Sequence, residues 1–132
     1  MLGLHRAMIE QIDAVVLTTA RLSQSLALYR AIGLPLEEER HEGGPAHYAC
    51  ELGASHFALY EASEGAGSVP ARRVGGATLI GFRVTSLSDA LESARVCGAT
   101  VVVPAEDVPW GRRAVLYDPD GRMIELNEAP RT

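Results

Sequence analysis

The sequence predicts an α+β domain made of two tandem strand–helix–three-strand modules. Internal self-similarity, alternating strand patterns and regularly placed turn residues together carry that expectation. Moving the second half back by 65 residues, Leu79 onto Ala14, superposes Leu87 on Leu22, Ser88 on Ser23 and Leu91 on Leu26. Arg95 then meets Arg30, and Gly98 meets Gly33. An offset of 67 aligns the ends of the halves, with Ile124 on Phe57, Leu126 on Leu59 and Glu128 on Glu61. Two copies mark a duplication rather than a solenoid, which needs about three repeats to bury a continuous core.

In the first copy, Ile12 to Thr19 is β-branched and reads as a strand. Leu22, Leu26, Tyr29 and Ile32 follow at the spacing of one helix face. Gly33 supplies the stop, because glycine tolerates the positive φ that ends a helix. Leu34 to Arg40 reads as a strand closed by a Gly43-Gly44-Pro45 turn. His47 to Leu52 and His56 to Glu61 flank Gly53-Ala54 as two more strands. The second copy starts with a strand from Leu79 to Thr85. Ser86 to Asp89 resembles a capping box, and Leu87, Leu91 and Ala94 give the buried helix face before Gly98. Thr100 to Val103, Arg112 to Tyr117 and Met123 to Leu126 complete the set, the last two around the turn Asp118-Pro119-Asp120-Gly121. The whole chain, 1–132, then forms one domain: module one over about 12–61, a linker over 62–77, and module two over about 78–128. Glu64 to Ser68 reads as a flexible stretch of that linker over one mouth of the fold.

Composition narrows the functions. Apolar residues are 47% of the 132 and charged residues 22%, a globular balance. All 12 basic residues are arginine. Without lysine there is no Schiff-base chemistry and no Gly-Lys-Ser/Thr phosphate loop. A net charge of −5 disfavours nucleic acid and anionic membrane as partners. Cys50 and Cys97 are too few for a disulfide scaffold, and no Cys/His spacing suggests structural zinc. Met1 to Arg6 lacks the apolar core of a signal peptide, and no apolar run reaches a membrane-spanning length. A cytoplasmic protein is expected.

The duplicated unit resembles the vicinal oxygen chelate superfamily, which includes glyoxalase I, bleomycin-resistance proteins, extradiol dioxygenases and fosfomycin-resistance enzymes. Tyr29 and the Gly33-Leu34 helix exit carry the resemblance in the first copy. In the second, the sharpest match is Asp118-Pro119-Asp120-Gly121-Arg122-Met123-Ile124-Glu125-Leu126. The resemblance spans about Ile12 to Glu128. It implies that the modules form a curved, half-barrel mixed sheet with a ligand in the hollow, and that the protein is a homodimer. It also implies where a divalent ion would be held: one ligand on the first and last strand of each module. Those places fall on Ala14, Ala58, Leu79 and Glu125, and only Glu125 has a metal-binding side chain. The expectation is therefore a member with no metal and no cofactor. His47, His56 and Glu125 are a conceivable replacement site, against which stands the lack of any spacing that makes them converge.

Alternation along the strands names the lining of the hollow. His56, Tyr60, Arg83, Arg113, Tyr117, Met123 and Glu125 are candidate ligand-binding residues, and Trp110 is a candidate cap over a flat ligand. Only one of Arg112 and Arg113 can face inward. Glu125 is the leading candidate for proton transfer, with His56 as its partner; an ion pair with Arg83 or Arg113 is the competing role. Glu37-Glu38-Glu39 reads as a solvated edge strand. The expected function is metal-independent binding of a small, partly apolar molecule. The alternative is a metal-free isomerase, cyclase or lyase, with a metal-dependent lyase or dioxygenase behind both. Whether there is turnover stays open at this point.

Overall fold

A computed structural model describes residues 8–41, 43–67, 70–75 and 78–130; the Met1 to Arg6 segment and Ser68 lie outside the described residues. The first module runs β1 (Ala14–Thr19), α1 (Leu22–Ala31), β2 (Glu37–Arg40), β3 (Ala46–Leu52) and β4 (Ser55–Glu61). The second runs β5 (Leu79–Arg83), α2 (Leu87–Val96), β6 (Thr100–Val108), β7 (Gly111–Tyr117) and β8 (Met123–Glu128). Each module makes its own four-stranded mixed sheet, ordered β1-β4-β3-β2 and β5-β8-β7-β6. The first and last strands of each module pair in parallel, and the rest pair antiparallel. The duplication holds in register: Ala14 faces His56 as Leu79 faces Met123.

One apolar core serves both modules. Leu17, Phe57 and Leu59 from the first sheet, Leu116, Ile124 and Leu126 from the second, and Tyr29 and Leu91 from the helices are all buried in it. Phe57 and Phe82 meet edge to face across the two sheets, with centroids 5.9 Å apart. The two helices start differently. Ser86 caps α2 by accepting from the Asp89 amide at 3.2 Å, whereas Arg21 gives α1 no side-chain cap. In place of a reciprocal box from Asp89, Glu128 accepts from the Leu87 amide at 2.8 Å. Gly98, at φ 81, lets the chain leave α2 in the left-handed region.

Strand β6 corrects the expected end at Val103. It runs on through Pro104 to Val108, with register irregularities between Val101 and Glu106. Proline has no amide to give to a ladder, and an edge strand with a bulge does not require one. The strand expected over Leu34 to Arg40 is shorter, starting at Glu37. The loop after β4 returns to the body, where Ser63 and Arg72 exchange backbone hydrogen bonds of 3.0 and 2.9 Å.

Candidate functional site

Because β1, β4, β5 and β8 alternate, the face opposite the core carries Ala14, Val16, Thr18, His56 and Tyr60 in the first sheet. In the second it carries Gly81, Arg83, Tyr117, Met123, Glu125 and Asn127. Both sheets turn their other side to the shared core, and no strand of one is paired with a strand of the other. The described residues therefore present two outward faces.

On the second sheet, Leu79, Met123 and Tyr117 lie side by side across β5, β8 and β7. All three are exposed, at 46%, 39% and 40%. Next to this apolar row, Glu125 accepts from Arg113 at 2.9 Å and, at 3.4 Å, from the Asn127 amide. Arg113 also reaches Glu106, at 3.2 Å. Arg112, one position away on the opposite face, pairs with Asp107 instead. Trp110 occupies the β6–β7 turn, half exposed, and its indole N–H donates to Asn127 Oδ1 at 3.0 Å. Gly111 makes that turn possible. It sits at φ 134, and a Cβ there would collide with the Glu128 carbonyl. Arg83 is exposed along the same face, opposite Asn127.

The first sheet carries different chemistry. His47 is buried and stacks on Tyr60 at 4.1 Å with planes 10° apart. The Arg72 guanidinium lies 3.8 Å over the Tyr60 ring. Glu39 faces three imidazoles: its carboxylate is 3.0 Å from His41 Nε2, 3.8 Å from His47 Nε2 and 4.0 Å from His56 Nε2. His56 Nδ1 is 2.7 Å from Glu51, and His47 Nδ1 is 3.2 Å from the Pro45 carbonyl.

The Asp118–Gly121 turn does more than reverse the chain. Asp118 is buried, pairs with Arg122 and accepts from Tyr29 Oη at 2.7 Å. Arg122 donates on to the Thr18 carbonyl at 3.0 Å, and Asp120 accepts from the Ala20 amide at 2.9 Å. The turn of module two is thereby latched onto β1 and α1 of module one. Burial, together with the Asp118 carboxylate, pushes the Tyr29 phenol well above its ordinary range. Asp118 and Tyr29 outweigh the effect of burial on Arg122 and raise its already high value. Beside this latch is an open cavity of about 280 Å³ lined by Arg21, Gln24, Leu28, Cys97 and Pro119. Its lining shares only Tyr117 with the predicted ligand-binding residues, and the sheet faces hold the denser polar chemistry.

The structure brings Arg113, Glu125, Met123, Tyr117 and Trp110 together along one sheet face, and His56 with Tyr60 along the other. It does not bring His56 to Glu125: each has its own partner on its own sheet. His47 and His56 share a carboxylate, but it is Glu39 and not Glu125. The four places where the resemblance puts metal ligands do not fit an ion. Ala14, Ala58 and Leu79 offer no donor, and Glu125 is held by Arg113. Sequence reasoning passed over Glu39, His41 and Arg72. The signal for the first two was present: Glu39-x-His41 before the Gly43-Gly44-Pro45 turn and His47 just after it put like-facing side chains across a hairpin.

Two parallel-edged βαβββ sheets sharing one core define a duplicated α+β domain with a chemically furnished face on each sheet. The family model "Glyoxalase/Bleomycin resistance protein/Dioxygenase superfamily" matches residues 11–126, and the chain belongs to that superfamily. No curated protein matches the sequence. Among solved structures, the chain is similar to an integron cassette protein from the mobile metagenome of V. cholerae, with 23% identity and a TM-score of 0.66 over 94% of this chain and 98% of that one. It is similar to TnmS3, an antibiotic binding protein from Streptomyces sp. CB03234, at 19% identity and TM-score 0.66, covering 94% and 99%. A lactoylglutathione lyase from Agrobacterium tumefaciens gives 17% identity and TM-score 0.64, covering 92% and 96%. At these identities the likeness is one of fold. No helix among the described residues is long and apolar enough to cross a membrane.

Proposed function

We propose that this protein binds a small, partly apolar molecule on the outer face of its second sheet, without a metal at the family's ligand positions. The observation that carries this reading is the exposed row Leu79–Met123–Tyr117 beside the Arg113–Glu125–Asn127 group and Trp110. An apolar strip with a few fixed polar groups is what a small-molecule site requires. Exposed apolar area of this kind also marks an association surface. A second copy of the chain is proposed to cover the face, so that the ligand lies in a groove between subunits. The antibiotic binding neighbour is in keeping with a carrier or sequestering role. A cytoplasmic setting accords with the two free thiols, Cys50 and Cys97. The alternative of proton transfer by a Glu125–His56 pair loses support from their separate partners.

Trp110 is the single tryptophan, so its fluorescence reports this face alone. Titration with a panel of planar aromatic natural products in the presence of a chelator is expected to give saturable quenching by at least one member, with the compound recovered unchanged. Saturable quenching lost on adding chelator, or conversion of the compound, would overturn the reading. So would a panel in which no compound quenches.

A further inference from the structure

We infer that the β2–β3 hairpin carries a divalent transition-metal site, of which Zn(II) is the favoured occupant, built from Glu39, His41 and His47, with His56 beside them against the same carboxylate. It lies on the first sheet, away from the proposed ligand face, and does not depend on that reading. One oxygen or nitrogen from each of Glu39, His41 and His47 lies within 4.8 Å of the others. In a tetrahedral zinc site with bonds of about 2.0–2.1 Å, neighbouring donors sit roughly 3.3 Å apart. Glu39 Oε1 lies 3.0 Å from His41 Nε2 and Glu39 Oε2 lies 3.8 Å from His47 Nε2, values on either side of that separation.

The second shell makes the case stronger than proximity alone. A metal-binding imidazole needs its other nitrogen protonated and tied, which fixes the tautomer and aims the lone pair. His47 Nδ1 is set to donate to the Pro45 carbonyl at 3.2 Å, leaving Nε2 toward Glu39. His56 Nδ1 is set to donate to Glu51 at 2.7 Å, also leaving Nε2 toward Glu39. That is a carbonyl–histidine–metal arrangement at His47, with a carboxylate-tied imidazole beside it. The His47 ring is also held by stacking on Tyr60. Two imidazoles and one carboxylate, with a third imidazole close by, are the borderline-soft, mixed N/O set that zinc and its neighbours prefer over magnesium or calcium. Glu39 and His41 come from one side of the hairpin turn and His47 from the other, so an ion here staples the turn.

The test uses untagged, full-length protein stripped with chelator and then titrated with Zn(II) by calorimetry and with Co(II) by visible absorption. One equivalent is expected to bind, with the intense visible bands of tetrahedral cobalt. His41 is the most exposed of the three histidines, so His41→Ala is expected to fold normally and to weaken Zn(II) binding at least about tenfold. Glu39→Gln is expected to weaken binding and alter the cobalt spectrum. Absence of saturable binding to folded wild-type protein would overturn the site. Equal affinity and an identical cobalt spectrum in folded His41→Ala would do the same.

Discussion

The two sheets share a backbone plan and differ in what they display. In the first, the outer face gathers imidazoles: His41, His47 and His56 surround Glu39, and His47 stacks on Tyr60. In the second, the corresponding face has no histidine. Its carboxylate Glu125 is paired with Arg113, beside an exposed apolar row. Gly81 pairs with Glu125 where Val16 pairs with Ala58, so the duplicated register holds one carboxylate out of two. Duplication has preserved the inward, packing side of each unit and left the outward side free to diverge. Three of the four places where the resemblance puts metal ligands are small or apolar, the fourth is the Arg113-paired Glu125, and each face has its own polar centre.

The largest effect is expected where the copies are joined. Asp118→Ala strands buried Arg122 without its partner and removes the acceptor of Tyr29, and breaking such a pair costs about 3–5 kcal/mol. A sharply lowered denaturation midpoint is the expected outcome. An unchanged midpoint would mean that the modules are not latched there. On the second face, Arg113→Ala is expected to weaken ligand binding about tenfold, ~1.4 kcal/mol, while Zn(II) affinity stays the same. Parallel loss of both would show that the faces are coupled.

Smaller effects separate the interior from both faces. Ser86→Ala removes the N-cap hydroxyl of α2 and should cost about 1 kcal/mol by chemical denaturation. Tyr29→Phe has a pH signature. The folded protein holds the Tyr29 proton more tightly than the unfolded chain, whose phenol ionises near 10.0. The resulting stability is complete below about pH 10 and is lost as the pH rises through and beyond that value. The alkaline fall in melting temperature should therefore be shallower in Tyr29→Phe than in wild type, although the variant starts lower by about 1 kcal/mol. Equal slopes would remove Tyr29 from the alkaline transition.

Much of the fold was legible because its signals are local. Apolar spacing at Leu22, Leu26 and Tyr29 marks a helix face, and alternation in β8 separates Ile124 and Leu126 from Glu125. Arg113 is distinguished from Arg112 only once the β7–β8 register is known, since both parities suit the sequence. Glu39 was hidden for a similar reason: an acidic run reads as solvent-facing until the hairpin register sets it opposite His47. The pairing of Tyr29 with Asp118, 89 positions apart, has no local signal. Nor has the placement of the two modules against each other. The expected pairing of His56 with Glu125 rested on that placement, and in the structure each has its own partner on its own sheet.

The most direct test of small-molecule binding at the second face is a map of amide shift changes by NMR, with a compound that quenches Trp110. The predicted perturbations cluster on β5, β7 and β8 and include the Trp110 indole N–H, in the presence of chelator. Perturbations confined to β1 and β4, or to the cavity around Arg21, Leu28 and Cys97, would contradict it.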